Sequence, residues 1–140
     1  MIQQAITRWL AVGAVAALAV GCSPVVEGRR LADSARAAGA HFFVERQPND
    51  TRNLDAVLEE SLRAHGVTIT RDRAQADFVV TYEDRWMWDM RMYLRDFSIE
   101  VRDAKTELVV GSGKSHQDSL AATGDTFRDV IDRAVKAMFE

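Results

Sequence analysis

Residues 77–114 read DFVVTYEDRWMWDMRMYLRDFSIEVRDAKTELVVGSGK, and their alternation of apolar and polar side chains decides the fold. A period of two sends successive side chains to opposite faces of a sheet. The stretch opens with Phe78-Val79-Val80-Thr81-Tyr82-Glu83. Val79 and Val80 are adjacent apolar residues, which predicts a strand covered on both faces there and central in its sheet. Trp86, Trp88, Met90, Met92 and Leu94 then share one parity, while Phe97, Ile99 and Val101 share the other. A period-two pattern changes parity only through an extra residue or a break, so a β-bulge or tight bend is expected near Arg95 and Asp96. A turn near Asp89 and Met90 would divide the Trp-rich arm from the next strand. Residues 103–106 (DAKT) form a turn, and residues 107–116 are the return strand, softened by Gly111 and Gly113. The stretch is an antiparallel meander that the rest of the chain covers or tethers.

Upstream of it, residues 40–45 (AHFFVE) are rich in aromatic and β-branched types and predict a strand. Pro48, Asn49 and Asp50 supply turn chemistry. Asn53 is the expected N-cap of a helix whose apolar residues Leu54, Val57, Leu58 and Leu62 fall on one face. Gly66 is its expected C′ residue. Residues 67–70 (VTIT) make a short strand, and residues 71–75 a charged loop. Downstream, Thr126 followed three residues later by Asp129 resembles a capping box. Phe127, Val130, Ile131, Ala134, Val135 and Met138 then follow an amphipathic helical pattern. Two helices beside such strands predict an α+β domain: a two-layer sandwich with a mostly antiparallel sheet of about five strands and two helices packed on one face.

The first residues belong to a different class of segment. Arg8 is the only charge in residues 1–21, and an apolar run from Trp9 to Val20 follows it, interrupted by Gly13. A positive start, a short apolar run and small residues at its end make a secretory signal peptide. The run is shorter than the ~20 residues a membrane helix needs. Leu18-Ala19-Val20-Gly21-Cys22 resembles the lipobox of bacterial lipoproteins, with Leu18 one position earlier than usual. The resemblance implies cleavage before Cys22, fatty acylation (palmitate among the chains) of its side chain and a membrane anchor. Ser23 in place of Asp after the cysteine implies the outer membrane. The expected organisation is a signal peptide over 1–21, a tether over 22–38 and a periplasmic α+β domain over 39–140. Cys22 is the only cysteine, so no intramolecular disulfide is available and the exported domain rests on its core.

With Arg8 removed from the 18 basic residues, 17 remain against 21 acidic ones, a formal charge of −4 from Cys22 onward. The signs are interspersed with no basic stripe, which argues against nucleic acid as a partner.

Four groups resemble chemistry. Gly111-Ser112-Gly113-Lys114-Ser115 resembles the tail of a phosphate-binding loop, but Leu108 stands where that motif needs a glycine and a strand runs where it needs a helix. His41, His65 and His116 lack metal-ligand spacing. Ser115, His116 and Asp118 are too close on one strand end to converge as a hydrolytic group. Glu83, Asp84 and Asp89 flank the tryptophans as charges that guard an apolar strand. These readings predict no enzyme, no metal and no cofactor. Trp86, Met87, Trp88, Met90, Met92 and Tyr93 are the candidate partner surface, because Met and Trp are residues of adaptable binding surfaces. The competing assignment puts the even-numbered ones in the core, with Met87 and Tyr93 on the opposite face.

From residue 76 onward, ADFVVTY and YLRDFSIEVRDAKTELVVGSGKS resemble the core of small proteobacterial lipoproteins of uncharacterised function. In these a strand leads to a hairpin of the type I-x-V-x-D-A-x-T-G. The lipobox and the LDAVLEESLRAHG helix extend the similarity over most of the chain. Glu107 stands where that family's hairpin carries glycine, so a turn one residue shorter or of different shape is expected. The resemblance implies a lipid-anchored envelope protein and supplies no catalytic residue. The expectation is a non-catalytic binding or accessory component of an envelope complex, with an envelope protein as partner. The alternative is a periplasmic lipoprotein that holds a lipid or other small apolar ligand between helices and sheet.

Overall fold

A computed structural model describes residues 23–119 and 124–140. The expected signal peptide (residues 1–21) and Cys22 lie outside the described residues. The class is α+β. Strands β1 (Val25–Arg29), β2 (His41–Val44), β3 (Thr68–Ile69), β4 (Phe78–Asp89), β5 (Arg91–Asp103) and β6 (Val109–His116) form one sheet. Its order is β1-β6-β5-β4-β2-β3. Helices α1 (Asp33–Arg36), α2 (Leu54–Ala64) and α3 (Phe127–Lys136) complete the described fold, with a short 3₁₀ turn at Arg73–Gln75.

The sheet is mixed, which corrects the mostly antiparallel expectation. β4, β5, β6 and β1 are antiparallel neighbours, but β2 runs parallel to both β3 and β4. The cause is the connections: α2 between β2 and β3, and residues 70–77 with their 3₁₀ turn between β3 and β4, each carry the chain back to its starting end, so the next strand points the same way. Six strands and three helices replace the expected five and two. The additional strand and helix both come from the expected tether. Val25 to Arg29 pair with Ser112 to His116. Leu31 and Ala35 are buried, and the Leu31 and Ala32 amides donate to Met138 and Val110 carbonyls, each at 2.8 Å. All five β1 residues are exposed, so no apolar alternation marked the strand; backbone pairing to β6 makes it.

The core lies between the helices and one face of the sheet. Phe42, Val80, Leu94, Phe97, Ile99 and Val101 meet Leu54, Leu58, Leu62, Ile131, Val135 and Met138 there, all nearly or fully buried. Each large side chain so buried contributes about 1.5–3 kcal/mol. Val79 and Val80 are both buried on opposite sides of β4, which is an interior strand as the sequence implied. The register shift between β4 and β5 falls between Arg85 and Trp86, and leaves Arg95 as the additional residue opposite them. This is the bulge that the parity change demanded.

Candidate functional site

Beyond that bulge β4 and β5 continue as a two-stranded arm. Trp86 pairs with Leu94, Met87 with Tyr93, Trp88 with Met92 and Asp89 with Arg91. The chain turns at Met90, whose φ is +60°. Leu94 is buried, and Trp86 is half-buried against the end of the core. The Trp86 ring lies 6.1 Å from the Phe127 ring, with the Arg52 guanidinium 4.1 Å over it. Its indole N–H donates to Asp84 at 2.7 Å. Past this point the helices no longer cover the sheet. Trp88 is 69% exposed, Met90 95% and Met92 49%. The core assignment therefore holds for Trp86 and Leu94 and fails for the tip. Met87, 38% exposed, and half-buried Tyr93 lie on the opposite side, as parity required.

That opposite side continues into the sheet face that no helix among the described residues covers. Two register rows cross it: Thr81, Glu100, Ser112 and Arg29, then Glu83, Ser98, Lys114 and Glu27. The strand twist makes this face a trough of about 620 Å³, closed at one side by Gln47. Its side chains are polar and of mixed sign. Arg102 bonds the Glu100 carboxylate, and Gln47 donates to the Tyr82 carbonyl. Lys114 is exposed in mid-strand, so the phosphate-loop geometry is absent at 111–115.

The histidines are dispersed. His41 faces Asp77 at 3.6 Å, His65 stacks on Phe139 at 4.7 Å, and His116 Nδ1 meets Asp96 at 2.5 Å. Ser115 is fully buried near Arg133, on the face opposite His116. The two therefore do not converge. Among the described residues no group of three or more His, Cys, Asp and Glu is placed to hold a metal ion.

One polar cluster was not anticipated. Asp50 is 8% exposed and accepts the Tyr82 hydroxyl at 2.7 Å. It also accepts the Arg52 and Asp55 backbone amides at 3.0 and 3.2 Å. Asp50 thus caps α2, the role expected of Asn53, whose backbone is left-handed and whose side chain makes no capping bond. Burial pushes the Asp50 carboxyl up, but the Tyr82 hydroxyl and the amides of Leu54, Asp55 and Arg52 outweigh it and hold it below the usual range. Burial, with the Asp50 charge beside it, raises the Tyr82 phenol well above its ordinary value. The pair is a structural brace between the 46–53 loop and β4. A turn-type Asp followed by a helix was the available signal.

No family model matches the chain, and no curated protein matches it. Solved structures do share the fold. It resembles PelC. The PelC dodecamer from Paraburkholderia phytofirmans matches 82% of this chain and 96% of its own, at 16% identity and a TM-score of 0.55. A point variant of that dodecamer gives a TM-score of 0.56. A DUF4136 family protein from Bacteroides thetaiotaomicron matches at 9% identity and a TM-score of 0.56, over 82% of this chain and 94% of its own. At such identities PelC and the DUF4136 protein share an architecture with this chain, and the likeness extends no further than the fold. No helix among the described residues is long and apolar enough to cross a membrane.

Proposed function

We propose that this chain is a lipid-anchored protein of the bacterial cell envelope that works by binding, as a non-catalytic accessory of an envelope complex. Cys22 carries the anchor in this reading, and the outer membrane is the expected site. The observation that carries the binding assignment is the uncovered face of the sheet. It is a concave trough of about 620 Å³, it is continuous with Met87 and Tyr93 on the arm, and no element among the described residues closes it. Its occupant is an envelope protein segment of mixed charge. Glu27, Lys114 and Glu83 alternate in sign along one row, and such a surface selects by charge complementarity more than by apolar area.

The space between helices and sheet, where a small apolar ligand would lie, is filled. Leu58, Leu62, Phe97, Ile131, Val135 and Met138 are 0–1% exposed there, which favours the binding-surface reading over a carrier.

The test is photo-crosslinking in cells, with the probe placed in turn at Glu83, Met87, Asp89, Arg91, Tyr93 and Lys114. A discrete protein band from Glu83, Met87, Tyr93 or Lys114 is expected, and a band at twice the chain mass would identify a second copy as the partner. Silence at every position in folded, membrane-bound protein would overturn the reading. Mass spectrometry of the mature N-terminus separately tests Cys22; recovery of an unacylated soluble form would remove the anchor.

A further inference from the structure

We infer that the tip of the β4–β5 hairpin, carrying Trp88, Met90 and Met92, rests in the headgroup layer of the same bilayer that holds Cys22. The inference builds on the anchoring half of the proposed function and adds a second, non-covalent membrane contact. It rests first on register. Val25, His116, Asp96 and Arg85 form one row across the sheet. β1 starts at this row and β6 ends there, while β4 and β5 run on past it as the arm. The chain joining Cys22 to the domain and the arm therefore leave the sheet at the same end.

The lengths agree as well. Val25 is three residue steps from Cys22, which limits that span to about 11 Å at ~3.6 Å per residue. Asp89 is four residue steps from Arg85, which is about 13 Å at ~3.3 Å per strand residue. An acylated Cys22 thus brings the bilayer surface to the depth that the hairpin tip reaches. β1 contributes to the closeness, because its pairing with β6 leaves no slack tether between lipid and fold.

The tip has the chemistry of that depth. Trp88 and Met92 are cross-strand neighbours on one side, Met87 is on the other, and Met90 stands at the end with 95% of its surface free. Val25 and Val26, 52% and 43% exposed, add apolar surface at the same end. Tryptophan prefers the interface, where its ring is in the acyl boundary and its N–H meets water and headgroups. Asp89 and Arg91 face each other across the turn, so the tip carries balanced charge, tolerated among headgroups and costly deeper.

The test uses the full acylated chain in phosphatidylethanolamine–phosphatidylglycerol vesicles doped with phosphatidylcholine brominated at defined acyl carbons. Trp86 and Trp88 are the only tryptophans after Cys22, and Trp86 lies under Arg52 and beside Phe127. Bromine near the top of the acyl chains is expected to quench the emission more than bromine near its end. Trp88→Phe is expected to abolish that quenching, and Trp86→Phe to leave it. The difference between wild type and Trp88→Phe isolates Trp88 even if Trp86→Phe disturbs the fold. Equal emission in plain and brominated vesicles, with the chain sedimenting with both, would overturn the inference while leaving the anchor and the protein-binding face intact. Failure to sediment would overturn it together with the anchor. A discrete protein crosslink from a probe at Met90 would replace the bilayer with a protein and preserve the wider function.

Discussion

Gly113→Ala should cost this domain a large part of its stability, and the reason is one distance. A Cβ built on Gly113 falls 1.9 Å from the Ala134 carbonyl oxygen and 2.9 Å from its carbon. Ordinary contact is about 3.5 Å, so β6 and α3 must part by roughly 1.5 Å. The obstacle is helix backbone, which cannot rotate away as a side chain does. Lifting α3 loosens Val130, Ile131, Ala134, Val135 and Met138, all 0% exposed. Overpacking of this kind costs about 1–3 kcal/mol, against about 0.4–1 kcal/mol returned by alanine's smaller freedom in the unfolded chain. Because five buried residues move together, the upper end of that cost applies, and a net loss of about 2 kcal/mol is expected. A melting midpoint shifts by roughly 4–8 °C per kcal/mol in domains of this size, so the drop is roughly 8–16 °C. Gly28 and Gly111 calibrate the argument. At Gly28 the nearest atom is the Ala137 oxygen at 2.6 Å; at Gly111 it is the Leu31 Cδ1 methyl at 2.8 Å, which can turn aside. Urea titration followed by circular dichroism should rank the alanine variants Gly113 worst, Gly28 next and Gly111 mildest. A Gly113→Ala midpoint equal to wild type, or a Gly111→Ala variant weaker than Gly113→Ala, would refute the reasoning.

Tyr82→Phe removes the hydroxyl that Asp50 accepts and should cost about 1.5–3 kcal/mol in the same titration, the range for hydrogen bonds to charged groups. Asp50 is held below its ordinary pKa of 3.8 in the fold, so its stabilisation is complete above that value and is lost as pH falls through the folded one. Asp50→Asn should flatten the acid limb of stability against pH below about 4, and an unchanged limb would refute the assignment. Trp88→Ala should leave stability within about 0.5 kcal/mol, as exposed substitutions do, whereas Trp86→Ala should lose more than about 1 kcal/mol from the core edge. Glu107→Gly should gain about 1 kcal/mol, because Glu107 has a φ of +59°, which costs an L-residue roughly that much; thermal melting checks it.

That glutamate shows how the sequence can be read and misread. The missing glycine after Thr106 suggested a differently shaped turn. Glu107 takes a left-handed backbone there, with Asp103 accepting from the Lys105 and Thr106 amides at 2.8 and 2.9 Å. Where side chains meet a core on one face, the pattern was legible: the meander, the bulge opposite Arg85, the turn at Met90, and the stripes of α2 and α3. Strand direction was not, because alternation carries no sense of parallel or antiparallel, and the returns through α2 and through residues 70–77 set it. β1 was hidden because its contribution is backbone pairing with β6, visible only once residues 112–116 are in place. For the candidate site, parity placed Met87 and Tyr93 opposite Trp88. The reach of the helices, which decides that Trp86 is covered and Trp88 is not, depends on where α3 and the 46–53 loop end in space.

The pairing of β1 with β6 also sets an order of events in time. Val25 pairs with His116 across one end of that ladder, and the Leu31 amide closes on the Met138 carbonyl. Loop closure over so long a span is entropically unfavourable until the intervening structure shortens it. The meander and its helices therefore assemble first, and β1 zips on last. Under the proposed function the N-terminal segment would be the first to cross during export and the last to fold, so Cys22 would stay on a free leash while it is acylated. Folding would then wind that leash in and draw the finished domain down onto the membrane.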